Sequence, residues 1–425
     1  MSAESVGARV ARMNDPDRNA IRAYLATERE AQTRFLVELV RTPSDNPPGD
    51  CRPHAEKAAG LLEGLGFAVE RHPVPEARVR ANGMISCTNL IVRERFGNGG
   101  PTIALNAHGD AVPPGLGWRT DPYGAEILEG FMYGRGVAVS KSDFATYAWA
   151  LMALKRFGAR LRGAVELHFT YDEEAGGAIG PNWLLERGLS KPDYAIGAGF
   201  SYAVTTAHNG CLHLEVEILG KSGHAAEPEK GDDAMEAAVV VLADLYSYRK
   251  ALTALPSSIP GIGCPTLVVG LISGGINTNV VPDRVVFRLD RRITPEEVPE
   301  TAEKSITALI KESTRKMPGI RAEVRRILLA NPFVPRPGQE RLVQALQTGA
   351  REVFGIELGS RGVPLYTDAR HYSEAGIPTV LYGAGPRTLE EANSHRADEK
   401  LKLDDLYKAT EVVALTLYDL LQSAA

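Results

Sequence analysis

The sequence predicts an α/β protein in two parts: a layered α/β domain interrupted by a smaller ferredoxin-like insert of order β-α-β-β-α-β. Three observations carry this. Apolar runs of strand length alternate with segments of helical periodicity as far as residue 206. The pattern then switches to a period of two, with Leu212, Leu214, Val216 and Ile218 separated by His213, Glu215 and Glu217. After Pro332 the alternating α/β pattern resumes. The expected division is 1–206 and 329–425 for the larger domain, with 207–328 inserted. A cleft between the two is the expected ligand site, because small molecules favour such clefts.

The elements follow in order. A broken apolar stripe of Ile21, Leu25, Phe35, Leu36, Leu39 and Val40 predicts a helix over 17–40, ended by Asn46-Pro-Pro-Gly49. A helix over 52–65 and strands near 67–72, 91–93 and 102–107 come next. Helix 144–157, strand 164–170, helix 182–187 and a short strand at 194–196 complete the first part. The insert reads as strand 212–218, helix 233–249, strands 266–271 and 284–290, helix 299–316 and strand 320–328. Helix 339–354, strand 379–382 and helix 403–421 close the chain.

At 425 residues the chain exceeds one comfortable core. Its 48 basic and 53 acidic residues, net charge −5, give no electrostatic case for nucleic acid or an anionic membrane. The longest apolar stretch, Ala234–Leu245, is too short to span a bilayer, and the first residues lack a signal pattern. Cys51, Cys87, Cys211 and Cys264 are widely spaced, as expected for a reduced, cytoplasmic protein.

Chemistry concentrates where strands end. Strand 102–107 runs into His108-Gly109-Asp110, and in open α/β sheets ligands gather just outside the carboxyl ends of strands. A histidine there with a carboxylate two residues on suits a metal ligand and its orienting partner; a strand-capping turn is the alternative. Strand 164–170 ends in Asp172-Glu173-Glu174. Adjacent carboxylates repel unless a cation or protons separate their roles. One can bind metal while its neighbour acts as general base on water; a solvated acidic turn is the alternative. His395 sits in a polar loop placed to reach back to the same region. His224 belongs to the insert and acts only across a cleft or a subunit interface. His54, His72, His168, His208, His213 and His371 read as structural.

Together the segments Asn106-Ala-His-Gly-Asp110, Tyr133-Gly-Arg-Gly136, Asp172-Glu-Glu174, Gly220-Lys-Ser-Gly-His224, Asn277–Pro282, Thr367-Asp-Ala-Arg370 and His395 resemble one metallohydrolase family. It is that of acetylornithine deacetylase, succinyl-diaminopimelate desuccinylase, aminoacylase and glutamate carboxypeptidase. The resemblance implies a metallopeptidase-type catalytic domain whose insert serves as lid and dimerisation domain. It implies His108, Glu174 and His395 as metal ligands and Glu173 as general base. It makes Asp110 the partner orienting His108, and His224 an oxyanion stabiliser supplied by the other subunit of a dimer. Asn279 and Arg370 fall where the family contacts substrate.

Two departures bear on the metal. The family carries a metal-bridging aspartate where this chain has Val139, and an acidic ligand of the second metal where it has Gly199. Without a bridging anion, two cations roughly 3.5 Å apart repel severely. One divalent metal per subunit is therefore expected, and manganese, zinc, cobalt and iron all suit a His/Glu/His set. Asp143, one helical turn beyond Val139, is the candidate substitute for the missing carboxylate. The expected reaction is hydrolysis of a C–N bond in a small carboxylate-bearing substrate, which Arg370 pairs bidentately. Release of ammonia from a nitro-activated aromatic amine is the first reading. A conventional amidase, N-acyl-amino-acid deacylase or dipeptidase is the second, and a non-catalytic binding protein the third. Retention of Glu173 beside Glu174 argues against the third. A homodimer or higher homo-oligomer is implied by the resemblance.

Overall fold

A computed structural model describes residues 15–422. The chain divides into two compact units: one reaching to Thr206 and taking in Pro335–Ser360 and the chain from Thr367 on, the other Ala207–Val334 with Arg361–Tyr366.

The first unit holds most of an eight-stranded mixed sheet, whose strands Val204–His208 and Ser360–Val363 run on into residues grouped with the second. From edge to edge the strands are Val69–Pro73, Thr88–Phe96, Gly163–Thr170, Thr102–His108, Tyr194–Gly197, Thr379–Leu381, Val204–His208 and Ser360–Val363. Thr102–His108 runs parallel to both neighbours, and Thr379–Leu381 runs parallel to Tyr194–Gly197. The carboxyl ends of these four central strands therefore lie at one edge of the layer. Gly163–Thr170 is buried along its whole length, as a strand covered on both faces must be. Helix Pro16–Val40 begins under a side-chain cap, with Asp15 accepting the N–H groups of Asp17 and Arg18 and proline at the first turn. It packs with Ser142–Phe157 and Leu403–Leu421, and Leu36, Trp149, Leu154, Val413 and Leu417 lie in one apolar cluster.

The second unit carries a four-stranded antiparallel sheet of order Thr266–Gly274, Arg284–Ile293, Gly210–Leu219, Arg321–Ala330. With helices Ala234–Leu252 and Pro299–Arg315 this is the ferredoxin-like arrangement. The alternation seen in the sequence is realised: Leu212, Leu214, Val216 and Ile218 share a core with Val241, Ile306 and Ile310. Among the described residues no helix is long and apolar enough to cross a membrane.

Several short elements lay outside the sequence reading. Glu126–Leu128 and Phe131–Tyr133 form a hairpin, to which Lys400–Lys402 adds a third strand. Glu129 and Gly130 make its turn with positive φ. A three-residue strand is too brief to show a period. Its pairing is set by the chain that meets it, and here that chain carries the loop with His395.

Candidate metal centre

The parallel register pairs His108 with Thr170, so the residues after both strands emerge side by side. Gly109 donates its N–H to the Thr170 carbonyl at 2.8 Å. A side chain at Gly109 would strike the Tyr171 ring, so only glycine permits this approach. Ser140 fixes the other side of His108, accepting its backbone N–H at 3.0 Å and donating to its carbonyl at 3.1 Å.

Asp110 is fully buried and organises the site. Its carboxylate accepts Asn46 Nδ2 at 3.0 Å and the backbone N–H groups of Glu173 and Glu174 at 3.3 and 3.1 Å. It thus caps the one-turn helix Glu173–Ala175 that presents both glutamates. His108 Nδ1 lies 3.0 Å from the Asp110 carbonyl and 3.4 Å from its Oδ1. A carbonyl only accepts, so the proton sits on Nδ1 and Nε2 is free to ligate. Nε2 lies 3.9 Å from Glu173 Oε2. His108, Glu173 and Glu174 each bring a ligand atom within 4.8 Å of the others. His395 approaches Glu174, with Nε2 3.5 Å from Oε1, and its side chain is 61% exposed. The structure therefore draws three of these residues into a tight cluster and sets His395 at its rim.

The cluster is over-supplied with negative charge. Burial, then Glu174, Asp368 and Asp110, push Glu173 well above the ordinary carboxylate range, with His108 opposing them. Burial would depress His108, but Glu173, Asp110 and Glu174 hold it well above its ordinary value. Imidazole and carboxylate donors that converge in surplus are the chemistry of a divalent cation site, and these residues fit one. Asp368 is a residue the sequence reading passed over. It is buried, takes the Thr170 hydroxyl at 3.4 Å, and burial lifts it to about 7. Its only signal was its place two residues before Arg370. Asp172, by contrast, turns away to accept the Ile179 N–H at 2.7 Å.

The positions of the two departures are also defined. Val139 packs against the main apolar cluster. Asp143 is buried, with Oδ1 committed to the Ala384 N–H at 2.7 Å, and burial raises it to about 7. At Gly199 a Cβ would lie 2.8 Å from the Tyr382 nitrogen and 2.9 Å from the Leu381 carbonyl carbon. No acidic side chain fits there unless that backbone moves.

Arg370 is buried and donates through Nη2 to the Gly176 carbonyl, beside the glutamate turn. Its Nε has no partner among the described residues. His224 and Asn279 belong to the second unit, where the Asn279 carbonyl accepts the Ala225 N–H at 3.1 Å and His224 pairs with Val280. His224 is exposed and accepts the Ala226 N–H on Nδ1.

The loop bearing His395 is held by a pair that sequence reading also missed. Arg135 Nη1 donates to Glu399 Oε2 at 2.6 Å, both side chains almost wholly buried. Arg135 Nη2 donates to the Pro114 and Arg396 carbonyls at 3.0 and 3.1 Å. Glu399 also accepts the backbone N–H groups of Gly136 and Ala138.

Residues 104–419 match peptidase family M20/M25/M40. The chain is similar to the succinyl-diaminopimelate desuccinylase of Nautilia profundicola, 29% identical over 331 residues that cover 75% of this chain and 86% of that one. It is also similar to the acetylornithine deacetylase of Myxococcus xanthus, 27% identical with 85% and 90% covered. Its fold is shared with a dipeptidase from Saccharomyces cerevisiae, TM-score 0.77 at 15% identity, covering 96% and 99%. A dinuclear metal-binding M20 peptidase from Bacillus subtilis shares it too, with TM-score 0.63 at 18% identity, covering 95% and 99%. The chain belongs to peptidase family M20/M25/M40 and is a metal-dependent hydrolase of carbon–nitrogen bonds.

Proposed function

We propose that this hydrolase works with one divalent metal per subunit, held by His108, Glu174 and His395, on a small substrate that carries a carboxylate. The observation that carries the reading is the pair of lost carboxylates. Val139 offers no bridge, and backbone fills the space a side chain at Gly199 would need. The metal would supply Lewis acidity, easing deprotonation of water and drawing charge from the reacting group. Manganese, zinc, cobalt and iron all suit the donor set.

The chain's own residues do the rest. Asp110 holds His108 in the ligating tautomer and fixes the glutamate turn. Glu173 takes the proton of the attacking water and passes it to the departing nitrogen; its raised pKa suits both tasks. Arg370 receives the substrate carboxylate, and Asn279 adds a further contact. His224, contributed by a partner copy in a homodimer, stabilises developing negative charge.

One Lewis acid and one base suffice where the substrate is itself electrophilic. A nitro-activated aromatic amine such as 5-nitroanthranilate meets that condition. Water oxygen adds to the ring carbon bearing the amine while the nitro group takes up the charge. The C–N bond then breaks as Glu173 hands the proton it took from water to the nitrogen, the second water proton stays on the new phenol oxygen, and 5-nitrosalicylate and ammonia leave. A deacylase or dipeptidase activity is the second reading, favoured by the desuccinylase and deacetylase names of the relatives.

The test is metal per subunit by elemental analysis after reloading and desalting, with ammonia release from 5-nitroanthranilate assayed against N-succinyl and N-acetyl amino acids. About one metal with ammonia release supports the first reading. Two tightly held metals with acyl-amino-acid cleavage would replace it with the second.

A further inference from the structure

Strand Gly210–Leu219 buries one face in the core of the second unit and leaves Cys211 and His213 on the other. The neighbouring strand Arg284–Ile293 runs antiparallel in a register that opposes His213 to Asp290 and Cys211 to Arg292. All four side chains thus share one face. Cys211 Sγ lies 3.1 Å from His213 Nε2 and 3.5 Å from Asp290 Oδ2, and His213 Nε2 lies 2.9 Å from that same oxygen.

We propose that Cys211, His213 and Asp290 form a second metal site, one for a thiophilic divalent cation such as zinc. Sulfur at about 2.3 Å and nitrogen or oxygen at about 2.0–2.1 Å from a tetrahedral zinc stand roughly 3.3–3.6 Å from one another. The distances here come within about half an ångström of those edges, so a small opening of the triangle seats the ion. Arg292 Nε donates to Asp290 Oδ1 at 3.0 Å. That leaves Oδ2 to the cluster, the outer hydrogen bond by which a ligating carboxylate is commonly oriented. The thiol is on the closed side, for Cys211 is fully buried, while the His213 and Asp290 side chains are 37% and 29% exposed. A hydrated ion has an open side to enter by, with the fourth position left to water. On binding, the S–H proton passes to solvent and the sulfur lone pair goes to the metal. None of this depends on the reading of the catalytic reaction.

The thiol makes the test specific, because His108, Glu174 and His395 include no sulfur. Cobalt(II) is titrated into the full-length protein, with near-ultraviolet absorption and proton release followed together. The expected result is a thiolate-to-cobalt charge-transfer band, one per subunit, with one proton released. It persists in Glu174→Gln, disappears in Cys211→Ser and needs at least tenfold more cobalt in His213→Ala. His213 is half-exposed, so that variant tests the site even where the buried cysteine is poorly replaced. No band in the wild-type protein, or an undiminished band in either Cys211→Ser or His213→Ala, would overturn the assignment.

Discussion

Arg135 and Glu399 offer the sharpest test of how the His395 loop is built. Consider Arg135→Met, which keeps an apolar stem of similar length and removes the guanidinium. Glu399 is left buried with only the Gly136 and Ala138 N–H groups, and the Pro114 and Arg396 carbonyls lose a donor. Burial already raises the Glu399 pKa against the pull of Arg135, so the lone carboxyl shifts further toward its protonated form. Breaking a pair of this burial costs about 3–5 kcal/mol. All three tryptophans, Trp118, Trp149 and Trp183, lie in the first unit, and Trp118 has Arg135 stacked over its ring at 5.2 Å. Tryptophan fluorescence in guanidinium chloride therefore reads the unit that matters. Arg135→Met/Glu399→Gln should recover about 2 kcal/mol or more relative to the sum of the single changes, because it leaves no unpaired charge. Metal affinity should fall about tenfold or more in Arg135→Met, since the Arg396 carbonyl it releases adjoins His395. A loss under about 1 kcal/mol, or strictly additive single variants, would refute the argument.

Further expectations concern charge, packing and chemistry. Burial would raise Glu166, but hydrogen bonds and charge from His168, with Ser190 and Arg93, bring it from 4.5 down to about 2. A depressed carboxylate stabilises the fold above its unfolded value and loses that contribution as pH falls through its folded one. Glu166→Gln should therefore cost about 1–3 kcal/mol at pH 7, screening at half-exposed Arg93 included. The gap from wild type should close between pH 4.5 and about 2 in denaturant titrations. Gly199→Asp should not create a second metal site. Metal per subunit should stay unchanged while the melting temperature drops, because the new side chain meets the Leu381–Tyr382 backbone. Glu173→Gln should retain metal and lose roughly 10²–10⁴-fold in turnover, measured as ammonia or acyl release; unimpaired turnover would remove Glu173 from its role.

What the sequence discloses follows from how far apart the interacting residues are. His108-Gly109-Asp110 and Asp172-Glu173-Glu174 announce themselves because each is a local polar run at the end of an apolar strand. The period of two at 212–218 likewise marks a strand with one buried face. Asp368 has no such neighbours; only the fold brings it to the cluster. The Arg135–Glu399 pair spans 264 positions, and no local pattern marks either residue as buried. Cys211 and His213 are two residues apart and so on one face, but the register that supplies Asp290 comes from a strand joined through the whole intervening α-β segment. Arg361–Tyr366 goes with the second unit although flanked by residues of the first, a return crossing that periodicity does not reveal.

Asp110 has a wider implication. Its carboxylate ties the glutamate turn to Asn46, and its carbonyl sets the tautomer of His108, so these ligands are fixed by bonds among themselves. Where a protein must gather its own ligands, ion binding and folding are one transition, and chelation unfolds the chain. Here hydrogen bonds among the residues themselves already set the turn and the imidazole, so folding is expected to precede ion binding. Occupancy becomes a variable of supply: stripping the catalytic ion should silence the enzyme without melting it, and returning the ion should restore turnover without a refolding step. Turnover should then follow the concentration of free divalent metal while the melting temperature stays nearly constant, which activity and thermal-unfolding measurements across a metal-buffer series would check.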